Sequence, residues 1–592
     1  MKWLGELVEL PAGASADDVM AELVKVGLEE EGSHGGDISG PVVVGQVLSF
    51  DDQAQSNGKT IRWCQVQVAQ PGDESVRGIV CGASNFAIGD KVVVSLPGAV
   101  LPGGFEIAAR KTYGHVSDGM IASSKELGLG DEHAGILILS EIGLDPDIGL
   151  DAISLLGLDD SAAEVNVTPD RGYCLSMRGI AREYSHATGS KFTDPSSKIK
   201  LLSGSGFGLN VSDSMPIHGL DGCSQFVLLG ISGIDANAKV PDWMATRLKL
   251  AGMRSISIVV DITNYVMLEL GQPLHAYDQG KLVGGISVRR ANSGEQIQTL
   301  DEKTRKLDAE DLLISDEQGP VGIAGVMGGA RTEVGPQTTA VLIEAAIFDP
   351  ISIARSARRH KLPSEASKRF ERGVDSEISG AAASRAAELL IELAGGSLDG
   401  LGAQYLTEKL PASIEMKLNY PTELVGVHYP PEQVVSTLEQ IGCKVSVIGD
   451  SVSVTAPTWR PDIIHKTDLV EEVARLVGYD AIPARLPVAP PGRGLTPRQK
   501  LRRRVLSSLT GAGFVEVLNY PFASEDQNAL MGMPDAVKLA NPIQSEAAFM
   551  RTSLIPGLLA AAARNISRAS TDVALIEEGS VFWKTQGSAV SS

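Results

Sequence analysis

Val19, Leu23, Val24 and Leu28 recur at helical spacing after Ser15, with Asp17 and Asp18 in the first turn. This pattern predicts an N-capped amphipathic helix within an N-terminal segment, residues 1–39, broken by Gly32, Gly35 and Gly36. From residue 40 to 157 the apolar period shortens to two. The runs VVVGQVLSF, IRWCQVQVA, GIVCG and DKVVVSLPGAVLPGG are separated by Asn, Gly and Pro turns, as in a small β-barrel. Residues 158–208 read as a strand, a helix with Ser176, Ile180 and Ala181 on one face and Gly189 as its stop, then a Ser/Lys/Pro/Gly-rich linker over 190–208. Strands such as GISVRR and AVLIEAAIF mix irregularly with helices such as AAASRAAELLIELAGG over 209–405, which predicts an α+β domain. Residues 406–484 read as a small α/β unit: strand, helix Pro431 to Ile441, strand pair, helix Asp468 to Val477. The proline-rich LPVAPPGRGLTP is a second linker, and the basic helix TPRQKLRRRVLSSLTGAG opens a last region within 485–592. No internal repeat of fixed period is present.

Composition narrows this picture. A chain of 592 residues, 43% of them hydrophobic, holds material for several cores, roughly four domains at typical size. The formal charge of −21 excludes binding to nucleic acid or to an anionic membrane through bulk charge, so any such contact has to be local. No run approaches a membrane helix, and Glu6 and Glu9 stand where a signal peptide would have its apolar core, so the chain reads as cytoplasmic. Cys64, Cys81, Cys174, Cys223 and Cys443 form no CxxC and read as buried free thiols. The end, VALIEEGSVFWKTQGSAVSS, runs from an apolar strand into a polar tail without elements to cover it; the chain reads as cut short, with apolar strands left exposed, so either the sequence is a fragment or the missing partners come from another chain.

Ordered signatures then appear along nearly the whole chain: CGASNFAIGDKVVVSLPGAVLPGG and SDGMIASSKELGL, NVTPDRGYCLSMRGIARE, DITNYVMLELGQPLHAYD, GIAGVMGG, LIEAAIFDP, TAPTWRPDIIHKTDLVEEVARLVGYD and LANPIQSEAAFMRTSLIPGLL. In these the chain resembles the β subunit of bacterial phenylalanyl-tRNA synthetase. The resemblance implies a multidomain α+β protein: an OB-fold tRNA-binding barrel (40–157), an α+β editing domain (209–405), a small winged-helix-like domain (406–484) and an incomplete class II catalytic-like domain (485–592). It implies a heterotetramer of two α and two β subunits acting on tRNA(Phe), with ATP and phenylalanine reacting in the α subunit. It also implies a further anticodon-stem module beyond the region present here.

The resemblance implies that the editing domain hydrolyses tyrosine wrongly attached to tRNA(Phe), and physics supplies the need. A pocket shaped for an apolar ring cannot strongly reject the same ring bearing a hydroxyl, so a second site must accept the phenol and reject plain phenyl. A buried carboxylate, left unpaired by phenylalanine, suits that task. Glu344, alone among apolar neighbours in AVLIEAAIF, matches the family's tyrosine-recognising glutamate; by itself it reads equally as a strand-edge charge. His275, after Pro273, can orient water or the ester-bearing ribose, or be a hydrogen-bonded core side chain. Thr263 and Asn264 can position substrate, and Gly325 lets backbone approach its ring; GIAGVMGG lacks the Gly-Lys-Ser/Thr ending of a phosphate loop.

Asp462, Asp468, Glu471 and Glu472 match the family's Mg²⁺ site at the contact with the α subunit, and oxygen-only ligands suit that ion. Asp468 with Glu471 also reads as a helix-capping box. For tRNA, residues 355–372 carry seven Lys or Arg against two Glu, and 498–504 carry five against none; each is a candidate phosphate-facing patch or a solvated helix face. The barrel runs the other way, with seven Lys or Arg against thirteen Asp or Glu over 41–150, and DDQAQSNGKTIRW replaces the family's basic His-Pro and Ala-Asp-Lys-Leu motif. The alternative to an editing subunit is a non-enzymatic tRNA-binding and assembly subunit whose pocket has decayed.

Overall fold

In the computed structural model, which describes residues 1–54, 60–70, 75–129, 135–407, 412–488, 490–533, 535–585 and 588–591, Ser15 caps the helix Ala16–Lys25. Its hydroxyl accepts from the Asp18 amide while the Asp18 carboxylate accepts from the Ser15 N–H. Residues 55–59, inside DDQAQSNGKTIRW, and Gln586, Gly587 and Ser592 of the tail lie outside the described residues. The glycines after the helix do not end the element. Glu29–Gly35 is a strand, antiparallel to Ser161–Asn166, so residues 1–39 are not purely helical. Residues 158–189 are not a separate piece either, since Leu4, Val19, Leu23 and Leu28 share one core with Tyr173, Ala181 and Tyr184. This strand had no readable period because its side chains are exposed on both faces and only backbone pairing defines it. The helix Met177–Thr188 starts with the Ser176 hydroxyl accepting from the Gly179 amide and stops at Gly189 in the left-handed region.

The chain falls into two units, Met1–Pro483 and Ala484–Ser592. In the first, Met120–Ile121, Lys91–Ser95, Val42–Ala54, Thr60–Gln67 and Val76–Cys81 form, in that order, a five-stranded antiparallel sheet. Val92, Val93 and Val94 are all buried, since Val93 joins the core on one face and Val92 and Val94 that on the other. The central region holds two further five-stranded sheets. One runs Ser205–Gly206, Ser397–Leu406, Cys223–Ser232, Ala340–Phe348, Leu274–Asp278; the other runs Leu209–Val211, Ile286–Arg290, Leu312–Asp316, Gly319–Ile323, Met327–Gly328. Ala382, Ala383, Ala386 and Ala387 let the helix Ser379–Ala394 lie close on the first sheet.

Residues 412–483 form a three-stranded sheet, Ser413–Lys417, Ser451–Thr455, Lys444–Ile448, under three helices, the last being Lys466–Val477. That helix starts at Lys466, not Asp468. The Asp468 carboxylate reaches back to the backbone N–H groups of Ile464 and His465, at 2.9 and 2.7 Å, so Asp468 sits within the first turn. On the buried face, Arg475 binds Glu183 at 2.6 Å, Glu472 at 2.7 Å and the Val26 carbonyl at 3.1 Å. Arg460 and Arg171 also meet Glu472, at 2.7 and 3.0 Å. In the second unit the helices Pro497–Gly511 and Ile555–Ser567 accompany short strand pairs, Val515–Glu516 with Leu575–Ile576 and Phe522–Ala523 with Phe549–Met550. Leu518, Tyr520, Ile543 and Leu559 are exposed there. All five cysteines are free and buried.

Replacing Arg475 by Met removes the cation shared by two sealed carboxylates. The expected loss is about 3–5 kcal/mol, read from the urea midpoint. Lys2→Met, which breaks the exposed pair with Asp159, is expected to change stability by less than about 1 kcal/mol.

Candidate functional site

The strand Ala340–Phe348 lies inside its sheet, so Glu344 is not an edge charge: it faces Leu228 on one neighbour and His275 on the other in antiparallel register. Glu344, His275 and Tyr277 line a cavity of about 220 Å³ closed by Leu300, Gly322–Gly328, Phe348 and Phe370. A cavity of about 150 Å³ already holds benzene, so this one has room for a single aromatic ring. Glu344 is buried, and its one hydrogen bond among the described residues comes from the Tyr277 hydroxyl to Oε2. Burial pushes its carboxyl up to about 7, against the opposing pull of that hydrogen bond. Burial lowers the His275 ring to about 4, which keeps it neutral at neutral pH. Its Nε2 is sealed from solvent and has no partner among the described residues.

Glycines shape the far wall. A Cβ at Gly328 would stand 2.5 Å from His275 Cε1, so the ring keeps its place only against a bare backbone. Gly325, at φ +64°, takes a left-handed turn, and a Cβ there would lie 2.9 Å from Phe370 and 3.0 Å from Phe348 and Ile353. The Phe348 and Phe370 rings meet edge to face, 5.1 Å apart. Thus Glu344, His275 and Gly325 converge, whereas Thr263 and Asn264 do not line the cavity. They sit on the helix Ile258–Leu270, and the Thr263 hydroxyl is spent on the Val260 carbonyl at 2.8 Å. Tyr277 and Gly328 were missed. Tyr277 had a usable signal, since it stands two residues after His275 on one strand and so shares its face.

The comparisons with known proteins follow the same divisions. Family profiles match residues 42–142 ("Putative tRNA binding domain"), 222–395 ("B3/4 domain"), 414–479 ("tRNA synthetase B5 domain") and 482–591 ("Phenylalanyl tRNA synthetase beta chain CLM domain"). A phenylalanine–tRNA ligase beta subunit from Leifsonia xyli subsp. xyli is 58% identical over 601 residues, covering 98% of this chain and 71% of its own. The chain belongs to the phenylalanine–tRNA ligase beta subunit family. Members from Streptomyces avermitilis and Thermobifida fusca are 52% and 50% identical, each over 98% of this chain and 70% of their own. The cavity lies in the B3/4 region of this beta subunit sequence.

Within the B5 region the carboxylates proposed for Mg²⁺ do not fit a magnesium site as this beta chain places them. Glu472 is held by Arg171, Arg460 and Arg475, and Asp462 by Arg460 at 2.7 Å. Asp468 caps its helix, and Glu471 accepts from the Tyr479 hydroxyl. No three His, Cys, Asp or Glu among the described residues are grouped to hold a metal ion. The basic stretch 355–372 is likewise largely consumed inside the fold. Arg355 and Arg359 bind Glu310, Arg359 and His360 bind Asp311, and Arg369 and Arg372 bind the Leu175 and Val167 carbonyls. In the CLM region Arg498, Lys500, Arg503 and Arg504 are exposed and form no ion pair among the described residues, and Arg502 meets Glu578. No helix among the described residues is long and apolar enough to cross a membrane.

Between about pH 4.5 and 7 the folded chain keeps a proton on Glu344 that the unfolded chain has released. That contribution to stability is therefore present below the window and lost as pH rises through it. Glu344→Gln removes the titration, so the stability of wild type relative to this variant is expected to fall by about 3 kcal/mol from pH 4.5 to 8, read by denaturant unfolding. The His275 term is common to both proteins and cancels.

Proposed function

We propose that this beta subunit hydrolyses tyrosyl-tRNA(Phe) in the cavity of Glu344 and His275. It does so within a ligase of two α and two β chains whose α subunit attaches phenylalanine using ATP and Mg²⁺. The observation that carries the reading is a buried carboxylate beside a neutral imidazole with an unpartnered Nε2, both lining a ring-sized apolar pocket. A phenol entering the pocket donates to the free oxygen of Glu344. A phenyl ring leaves that oxygen desolvated and unpaired, at a cost of roughly 1–3 kcal/mol, so phenylalanine is rejected by what it lacks.

Hydrolysis needs a water held against the ester carbon. Nε2 of His275 accepts one hydrogen from that water, whose oxygen bonds to the carbonyl carbon as the ester C–O bond breaks. The proton passes by way of the imidazole to the departing ribose oxygen, and free tyrosine and tRNA are released. Gly325 and Gly328 keep the opposite wall bare, so that ligand ring and imidazole both fit. On the same reading the barrel of residues 42–142 is an OB-fold module, residues 412–483 are winged-helix-like, the second unit is a class II catalytic-like region that meets the α subunit, and the assembly works in the cytoplasm. The exposed apolar side chains and unpaired cations of the second unit support that assignment.

The test is deacylation of pre-formed tyrosyl- and phenylalanyl-tRNA(Phe) by the complex. Glu344→Ala is expected to lower the tyrosine-to-phenylalanine rate ratio about 10- to 100-fold. His275→Ala is expected to slow both reactions about 100-fold. Undiminished, selective deacylation by both variants sinks the assignment.

A further inference from the structure

The wall of the cavity already carries a phenol. Tyr277 is almost fully buried, and its hydroxyl donates to Oε2 of Glu344, the one hydrogen bond that this carboxylate makes among the described residues. The Tyr277 ring is fixed by its strand, paired residue for residue with Ala340–Phe348, and by an edge-to-face contact with His275 at 4.5 Å. Oε1 of Glu344 carries no hydrogen bond among the described residues, and the residue lines the cavity. We propose that Tyr277 is a positioning residue for phenol discrimination: by occupying Oε2 it holds Glu344 as an ionised acceptor and leaves Oε1 as the one site that an arriving phenol must satisfy. This inference rests on the editing reading above.

The physical need follows from the surroundings. A carboxylate alone in an apolar cavity takes up a proton rather than remain charged, and a neutral carboxyl imposes a smaller penalty on a ligand that fails to pair with it. Selectivity therefore depends on keeping the charge, and no cation among the described residues does so. The titratable groups facing Glu344 are His275 and Tyr277 from the strand on one side, and the Cys223 thiol, whose ionisation burial and Glu344 both oppose, from the other. The hairpin Gly319–Gly328 and the helix Glu365–Arg372 offer it only glycines and apolar side chains. Tyr277 is thus the group that opposes protonation, as its lowering effect on the Glu344 carboxyl records. A purely space-filling role predicts something else: phenylalanine at this position keeps the ring and should leave the pH dependence of discrimination unchanged.

The experiment measures the tyrosyl-to-phenylalanyl deacylation ratio of the full ligase complex from pH 6 to 9, after subtracting the uncatalysed rates, for wild type, Tyr277→Phe, Glu344→Gln and the double variant. The expected result is a ratio for Tyr277→Phe that is about three- to tenfold below wild type at pH 7 and recovers at higher pH, with its midpoint displaced upward by about one unit. Glu344→Gln, whose amide oxygen accepts without titrating, is expected to give a flat profile to which Tyr277→Phe adds no pH dependence. This second background separates a titration effect from damage to the fold. A Tyr277→Phe profile superimposable on wild type, or a loss of ratio that is the same at every pH, overturns the role of Tyr277 and leaves the editing reading standing. Absence of tyrosyl-tRNA deacylation by the wild-type complex overturns the editing reading, and this inference with it.

Discussion

The larger unit is organised around carboxylates that are sealed from water and matched by arginine. Arg171 and Glu183, Arg460 and Glu472, and Arg475 come from stretches far apart in the sequence, and the Val26 carbonyl closes the ring. Removing any charge leaves its partners buried and unbalanced, so the segments have to arrive together. The reach of this constraint extends further through Arg178, which binds Asp194 and Asp375, and through Arg369 and Arg372, which take carbonyls of Leu175 and Val167. Residues 161–194 are in this sense the hub to which the N-terminal helix, the 209–405 region and the 412–483 region are all tied. The same constraint explains why Asp462 and Glu472 are not open to a cation, because guanidinium groups already stand beside them, while Asp468 is spent on backbone N–H groups and Glu471 on the Tyr479 hydroxyl.

The cavity obeys the opposite rule. Glu472 and Glu344 are the same residue type, both buried on packed elements. Beside its arginines Glu472 is held far below the usual carboxylate range, whereas Glu344, with one phenol for company, is pushed up to about 7. The difference is the number of charged partners, not the depth of burial. A fully paired carboxylate has nothing left to offer a ligand, while an underpaired one is costly to hold and ready to accept. His275 repeats the theme, its Nε2 left without the partner that a core histidine would find. The site is therefore where the fold leaves polar groups incompletely satisfied, within a unit that elsewhere pairs its charges closely.

What the sequence showed of this follows from how local each signal is. The capped helix Ala16–Lys25, the stop at Gly189 and the helix Ser379–Ala394 were readable because caps and apolar spacing act within a few residues. The strand Glu29–Gly35 was not, since its pairing with Ser161–Asn166 leaves no pattern in its side chains. Glu344 could be singled out as a charge in an apolar run, but whether it lay at an edge or inside a sheet depended on partners more than 60 and 110 residues away. Thr263 and Asn264 were included for a hydroxyl and an amide that can position substrate, and the helix carries them off the cavity. Asp462, Asp468, Glu471 and Glu472 looked like a cluster by spacing alone, although Arg460 and Arg475 of the same stretch bind Asp462 and Glu472, and Arg171 adds a further cation from far away in the sequence.

Counting charges along the chain fails for the same reason when the partner is a polyanion. Binding to phosphate draws on cations that can exchange water and counterions for it, so an arginine locked to an internal carboxylate contributes little. By that measure the stretch 355–372, with seven basic residues, offers chiefly Arg358 and Lys361 as exposed cations with no ion pair among the described residues. The shorter stretch 498–504 keeps four of its five, on a helix none of whose residues is buried. An acidic chain with a formal charge of −21 can thus present a local basic face only where its arginines are not needed to hold the fold together. In this protein the hub of residues 161–194 and the Glu310–Asp311 corner hold Arg178, Arg355, Arg359 and Arg475 inside the fold, whereas Arg498, Lys500, Arg503 and Arg504 of the helix Pro497–Gly511 stay exposed.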